Sequence, residues 1–151
     1  MRTGILNDLV MHELAVATHL IVHAVVLKHQ GYKELSARYR KKAYQLGDHA
    51  RALMERLHEL GVVLNVTKLD EPPVSRSVKG QLEIYLAIEQ ETVPRLTSAI
   101  RSSNEEGDLA TRVLLEKILI DAEHHVDWLE SQLHLIAEIG LADYLAQQSA
   151  V

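Results

Sequence analysis

Two glutamates and two histidines stand where a helical core would place apolar side chains. Glu13, His49, Glu89 and His125 each interrupt an apolar stripe, one on each of four helical runs. The stripe around Glu13 is Leu6, Leu9, Val10, Val16, Ala17, Leu20 and Ala24, and that around His49 is Tyr39, Ala43, Leu46, Leu53 and Leu57. Glu89 interrupts Leu82, Tyr85, Leu86, Val93, Leu96 and Ile100. His125 interrupts Leu114, Leu115, Ile118, Ala122, Leu129, Leu133 and Ile136. Spacings of three and four put each set on one helix face. A polar group on such a face needs a partner or a metal. All four lie near mid-helix, which in an antiparallel bundle is one level, so they can converge. Two carboxylates and two neutral imidazoles balance one divalent ion, and such a ligand set suits Fe(II), Zn(II) or Cu(II). The alternative is that Glu13 pairs with His125, or Glu89 with His49, and that no metal is held.

A two-metal centre requires more. It takes a Glu from each of two helices and a Glu-x-x-His from each of the other two, because residues at i and i+3 share a face. Here the residue three before His49 is Leu46, and three before His125 is Ala122. Asp121, Glu123 and His124 are nearby candidates for additional ligands, although Asp121, one turn before His125, turns inward only with strain. His12, His19 and His23, spaced seven and four apart, share a side of the first run off its core stripe. With His124 they suggest a second metal or transit site, or more simply a half-buried subunit interface. His29, His58 and His134 read as surface or interface positions. Arg38, Arg40, Lys41 and Lys42 read as a solvated face that can line a pore or a shell interior.

The elements that must position these groups are helices over about 5–29, 33–60, 78–102, 109–139 and 141–148. Gly31, Gly61 and Gly140 act as stops, and Asp108 as an N-cap after a turn at 102–107. The first two helices are joined by a short link and must be antiparallel neighbours. Residues 61–77, with Pro72 and Pro73, lose the helical period and read as a long crossover, so the third helix can start at either end. Pro94 should kink that third helix. The fold class is all-α: a single domain over 1–151, a four-helix bundle with one long crossover and a short fifth helix.

Composition narrows the classes further. The chain has 151 residues, 47% of them apolar, no Phe and one Trp, which suits a core of Leu, Ile, Val and Ala. There is no Cys, so disulfides and thiolate metal sites are out. A net charge of −5 argues against nucleic acid as a partner. No window reads as long and apolar enough to span a membrane, and the N-terminus does not read as a signal peptide, so the expected location is cytoplasmic.

Several stretches together resemble the bacterioferritins. They are Leu6-Asn7-Asp8-Leu9 through His12-Glu13-Leu14-Ala15, Asp48-His49-Ala50, Glu55-Arg56, Leu60-Gly61 and Leu86-Ala87-Ile88-Glu89. His125-Val126-Asp127-Trp128-Leu129-Glu130 and Gly140-Leu141-Ala142-Asp143-Tyr144-Leu145 complete them, so the likeness covers nearly the whole chain. The resemblance implies a ferritin-like bundle, intracellular iron storage or detoxification, and a shell of about 24 subunits built from two-fold dimers. It also implies that Glu13, His49, Glu89 and His125 are what remains of a ferroxidase centre. The family's bridging glutamates correspond to Leu46 and Ala122, its haem-ligating methionine to Gly47, and a tyrosine near its centre to Leu20. The resemblance therefore implies iron, or another divalent metal, at one ion per subunit, no haem, and impaired ferroxidase activity. A homo-oligomer, or co-assembly with a competent partner, fits such losses.

Overall fold

In the computed structural model, which describes residues 2–65 and 75–149, the chain forms five helices and, among those residues, no strand. α1 spans Arg2–His29, α2 Lys33–Glu59, α3 Val78–Glu105, α4 Leu109–Ile139 and α5 Leu141–Gln148. The all-α bundle with a short C-terminal helix is the architecture that the apolar stripes imply. α1 packs mainly on α2, and α3 on α4; the two hairpins meet along α1–α3 and α2–α4, while α5 lies against α4 and α2.

The direction of each helix follows from two apolar clusters. One gathers the C-terminal half of α1 (Val16 to Leu27), the N-terminal half of α2 (Leu35 to Leu46), the start of α3 (Val78, Leu82, Tyr85) and the end of α4 (Leu129, Ile136), with Tyr144 of α5. The other gathers Leu6, Leu9 and Val10 of α1 with Ala50, Leu53 and Leu57 of α2, Leu96 and Ala99 of α3, and Leu115, Ile118 and Ala122 of α4. Neighbouring helices are therefore antiparallel throughout. α2 ends at one end of the bundle and α3 begins at the other, which removes the choice that the sequence left open. Of the expected crossover, residues 66–74, including Pro72 and Pro73, lie outside the described residues.

Local chemistry sets the helix ends. The turn expected from Ser102 begins later, because α3 continues to Glu105. Ser103 is fully buried and its hydroxyl donates to the Ala99 carbonyl at 2.9 Å, so it is satisfied without leaving the helix. Gly107, at φ +74°, then closes the helix, and the Asp108 N–H donates back to the Ser103 carbonyl at 2.8 Å. Asp108 caps α4 by accepting from the Thr111 N–H at 3.1 Å. Arg56 of α2 donates to Asp108 at 2.7 Å and to the Thr111 hydroxyl at 2.8 Å, which ties the end of α2 to the start of α4. Pro94 does not break α3, which is continuous from Val78 to Glu105.

One composition-based expectation needs correction. The stretch Thr3–His29 is long and apolar enough, by length and composition, to cross a membrane. More than half of its most apolar window is buried inside the bundle, as for a core helix that is apolar on several sides. Its remaining apolar face is a ridge of Ile21, Val22, Val25 and Val26, all exposed.

Gly47 sits inside α2, and a Cβ added there meets nothing within 4 Å. A mid-helix glycine in open space carries an entropic cost without a packing reason. Gly47→Ala should therefore raise stability by about 0.5–1 kcal/mol, read as a higher denaturant midpoint at unchanged slope.

Candidate metal centre

The two apolar clusters are separated by a polar layer. Glu13, His49, Glu89 and His125 are all buried, at 3%, 7%, 5% and 7% exposure. Each comes from a different helix, and each lies in sequence between residues of the two clusters. The stripes thus bring the four groups to one level, but they meet as two pairs. His49 Nδ1 faces Glu13 Oε2 at 3.8 Å, and His125 Nδ1 faces Glu89 Oε2 at 3.4 Å. Among the described residues, no three His, Asp or Glu side chains gather closely enough to hold one ion. Where the sequence suggested one four-ligand cluster, the described side chains form two carboxylate–imidazole pairs. The pairing is also the reverse of the one considered above, because α1 packs on α2 and α3 on α4.

Neither contact is a hydrogen bond. At 3.8 and 3.4 Å these are ion-pair contacts, and His49 Nδ1, His125 Nδ1 and Glu89 Oε2 are buried without a hydrogen-bond partner. Buried polar atoms left so are uncommon and costly. Two donor atoms on one tetrahedral ion, each about 2.1 Å from it, lie about 3.4 Å apart. Each pair has close to that spacing, so the donor types and geometry fit two ligands of an ion. A third and fourth ligand are not in place within either pair.

Asp121 takes a different position from a ligand. Its Oδ2 accepts from His49 Nε2 at 2.8 Å, on the far side of the ring from Glu13. A carboxylate behind an imidazole fixes ring orientation and raises the basicity of the opposite nitrogen. Burial alone would lower the His49 pKa, but Glu13 and Asp121 outweigh it and the result lies above the ordinary value. His125 goes the other way: burial lowers its pKa, Glu89 opposes this, and the charges of Lys42 and Arg38 add to the lowering. The His125 ring stacks on Trp128, with centroids 6.0 Å apart and planes at 11°.

Lys42 is the residue that the sequence reading misplaced. It is half-buried, not part of a solvated face. Burial lowers its pKa, and the carboxylates of Glu89, Glu13 and Asp121 pull it back up. One ammonium thus stands in the field of three carboxylates. It lies seven residues before His49, on the same helix face, which was the available signal. Leu46 and Ala122, three residues before His49 and His125, are buried at 3% and 4% exposure, one in each apolar cluster.

The other histidines are spoken for or exposed. His12 Nε2 is 2.8 Å from the Thr92 hydroxyl. His23 is buried, contrary to its expected place off the core, and its Nδ1 is hydrogen-bonded to the Tyr85 hydroxyl. The Tyr85 ring meets Tyr39 edge-on at 5.5 Å. His19 lies beside His23, with ring centroids 6.4 Å apart. Glu123, His124, His29, His58 and His134 are exposed.

The opposite shifts of the two histidines give opposite linkage to stability in metal-free protein. His49, with a raised folded pKa, stabilises fully below its unfolded value of about 6.5, and that contribution is lost as pH rises through the folded pKa. His125, with a lowered folded pKa, stabilises above about 6.5 and loses this as pH falls through the folded value. In denaturant unfolding across the range of histidine titration, the penalty of His49→Gln should shrink with rising pH and that of His125→Gln with falling pH. Parallel pH curves for the two variants would contradict this.

Comparison with known proteins places the geometry in context. The family described as the ferritin-like domain matches residues 3–139. Bacterioferritin of Mycobacterium leprae (strain TN) is 34% identical over 143 residues, covering 95% of this chain and 90% of that protein. Bacterioferritin of Streptomyces coelicolor is 30% identical, covering 93% and 84%. Bacterial ferritin of Synechocystis sp. is 33% identical, covering 95% and 92%.

Proposed function

The chain belongs to the ferritin-like family, and from that premise we propose that it is a bacterioferritin-like subunit of an intracellular iron-storage and detoxification shell whose metal centre has degenerated. What supports the second half is that apolar, buried Leu46 and Ala122 stand three residues before the two histidines, where a two-metal centre takes carboxylates, beside two Glu–His pairs with orphaned donor atoms. A site of this kind holds at most one ion per chain, because a second divalent charge has no carboxylate to balance it. Within it, Glu13 and Glu89 supply charge, the two Nδ1 atoms supply lone pairs, and Asp121 orients His49. Fe(II) would give up electrons to oxygen slowly here, since no bridge couples two irons. Gly47, with no side chain to reach an iron, supports a subunit without haem.

A second reading is favoured by Lys42. An ammonium among three carboxylates compensates their charge without any metal. That supports a structural subunit co-assembling with a competent ferritin partner. Tight binding of zinc or copper without oxygen reactivity would instead mark a site for another metal.

Oxygen-dependent Fe(II) oxidation by the purified assembly separates these readings. The first expects a slow rate above buffer, lost in His49→Ala, with no more than about one iron per chain after anaerobic loading. Restoring both carboxylates with Leu46→Glu and Ala122→Glu should raise the rate by about tenfold or more, with helicity checked by circular dichroism. A wild-type rate equal to buffer, with no iron retained, would leave only the structural role.

A further inference from the structure

We propose that the cleft between α2 and α4 binds a small tetrahedral oxyanion of the phosphate class. The cleft holds about 250 Å³ and is lined by Arg38, Lys41, Lys42 and Gln45 from α2 and by Asp121 and His124 from α4, among others. Arg38, Lys41 and Lys42 lie at i, i+3 and i+4, so three cations share one helix face. Among the described residues none of them is in an ion pair, whereas Arg51, Arg56 and Arg112 each have a carboxylate partner. Lys42 already has Glu89, Glu13 and Asp121 nearby, whereas Arg38 and Lys41 are exposed cations without an ion-pair partner among the described residues, and a bound dianion would supply them with one.

The donors are also oriented. The Arg38 guanidinium lies over the Trp128 ring, its central carbon 4.8 Å from the centroid. This cation–π contact holds the guanidinium at the cleft wall, and no hydrogen bond of its N–H groups is seen among the described residues, which leaves a planar fork that suits oxyanions. The Lys42 ammonium spends one donor on Gln45 Oε1 at 2.6 Å and has two left.

Asp121 gives the cleft a preference. Asp121 lines the cleft, and with its Oδ2 bonded to His49 its second oxygen remains free to accept. Hydrogen phosphate carries a proton to donate to that oxygen. Sulfate at neutral pH carries none and meets only repulsion from the carboxylate. Lys42, Asp121 and His125 belong both to the cleft and to the polar layer, so the test is made on metal-free protein and contains no iron.

The test is calorimetric titration of the metal-free assembly with inorganic phosphate, in chloride buffer of low ionic strength, with sulfate titrated in parallel. Phosphate should saturate near about one per chain, with sulfate at least about tenfold weaker. The double variant Arg38→Ala, Lys41→Ala alters two exposed side chains and should weaken phosphate about ten- to a hundredfold, with helicity unchanged. Asp121→Asn should bring the two anions close to equal. No saturable phosphate binding, or an undiminished affinity in the double variant, would overturn the site. Equal affinity of the wild type for both anions would overturn the role of Asp121.

Discussion

Charge inside a helical bundle is tolerated only when something nearby balances it. Glu13 and Glu89 are each more than nine-tenths buried, and a carboxylate taken out of water without compensation costs several kcal/mol by continuum reasoning. The layer meets this constraint in three ways. Each carboxylate faces an imidazole from the adjacent helix of its hairpin. Lys42 brings a positive charge within reach of both and of Asp121. Asp121 in turn holds His49 in place. The two apolar clusters flank the layer on either side, so the packing and the electrostatics depend on one another.

Under the proposed reading, the same layer is incomplete as a metal centre yet intact as structure. Leu46 and Ala122 carry the apolar clusters inward to the edge of the layer, where carboxylates would otherwise demand a second ion. Lys42 then competes with a metal for the attraction of the remaining carboxylates. A divalent ion must displace or outbid an ammonium that is tethered and already present.

Much of this was legible from residue spacing alone. A polar residue inside an otherwise unbroken three-and-four stripe is conspicuous, which is why Glu13, His49, Glu89 and His125 stand out without coordinates. Their pairing was open to derivation too, since helices joined by short links pack side by side, and that joins Glu13 to His49 and Glu89 to His125. The inward turn of Lys42 was hidden for a physical reason. A lysine at the margin of an apolar stripe ordinarily lays its stem on the core and keeps its ammonium in water, so its sequence position looks the same in either case. His23 was hidden likewise, because its partner Tyr85 lies 62 residues away and no local period links them. Asp121 seemed strained as a ligand for the His125 side, and its actual bond to His49 reaches across to α2, which only the bundle geometry reveals.

Under the proposed reading, apolar Leu46 and Ala122 also bear on how the protein matures. When a site's charges can be balanced only by ions, the chain must wait for metal before its core closes, and chelators unfold it. Here the counter-charge is covalently part of α2 and arrives with the polypeptide. Under the proposed reading, acquisition of the fold and acquisition of cargo become separate events, and a subunit made when iron is scarce is already as ordered as one made when it is plentiful.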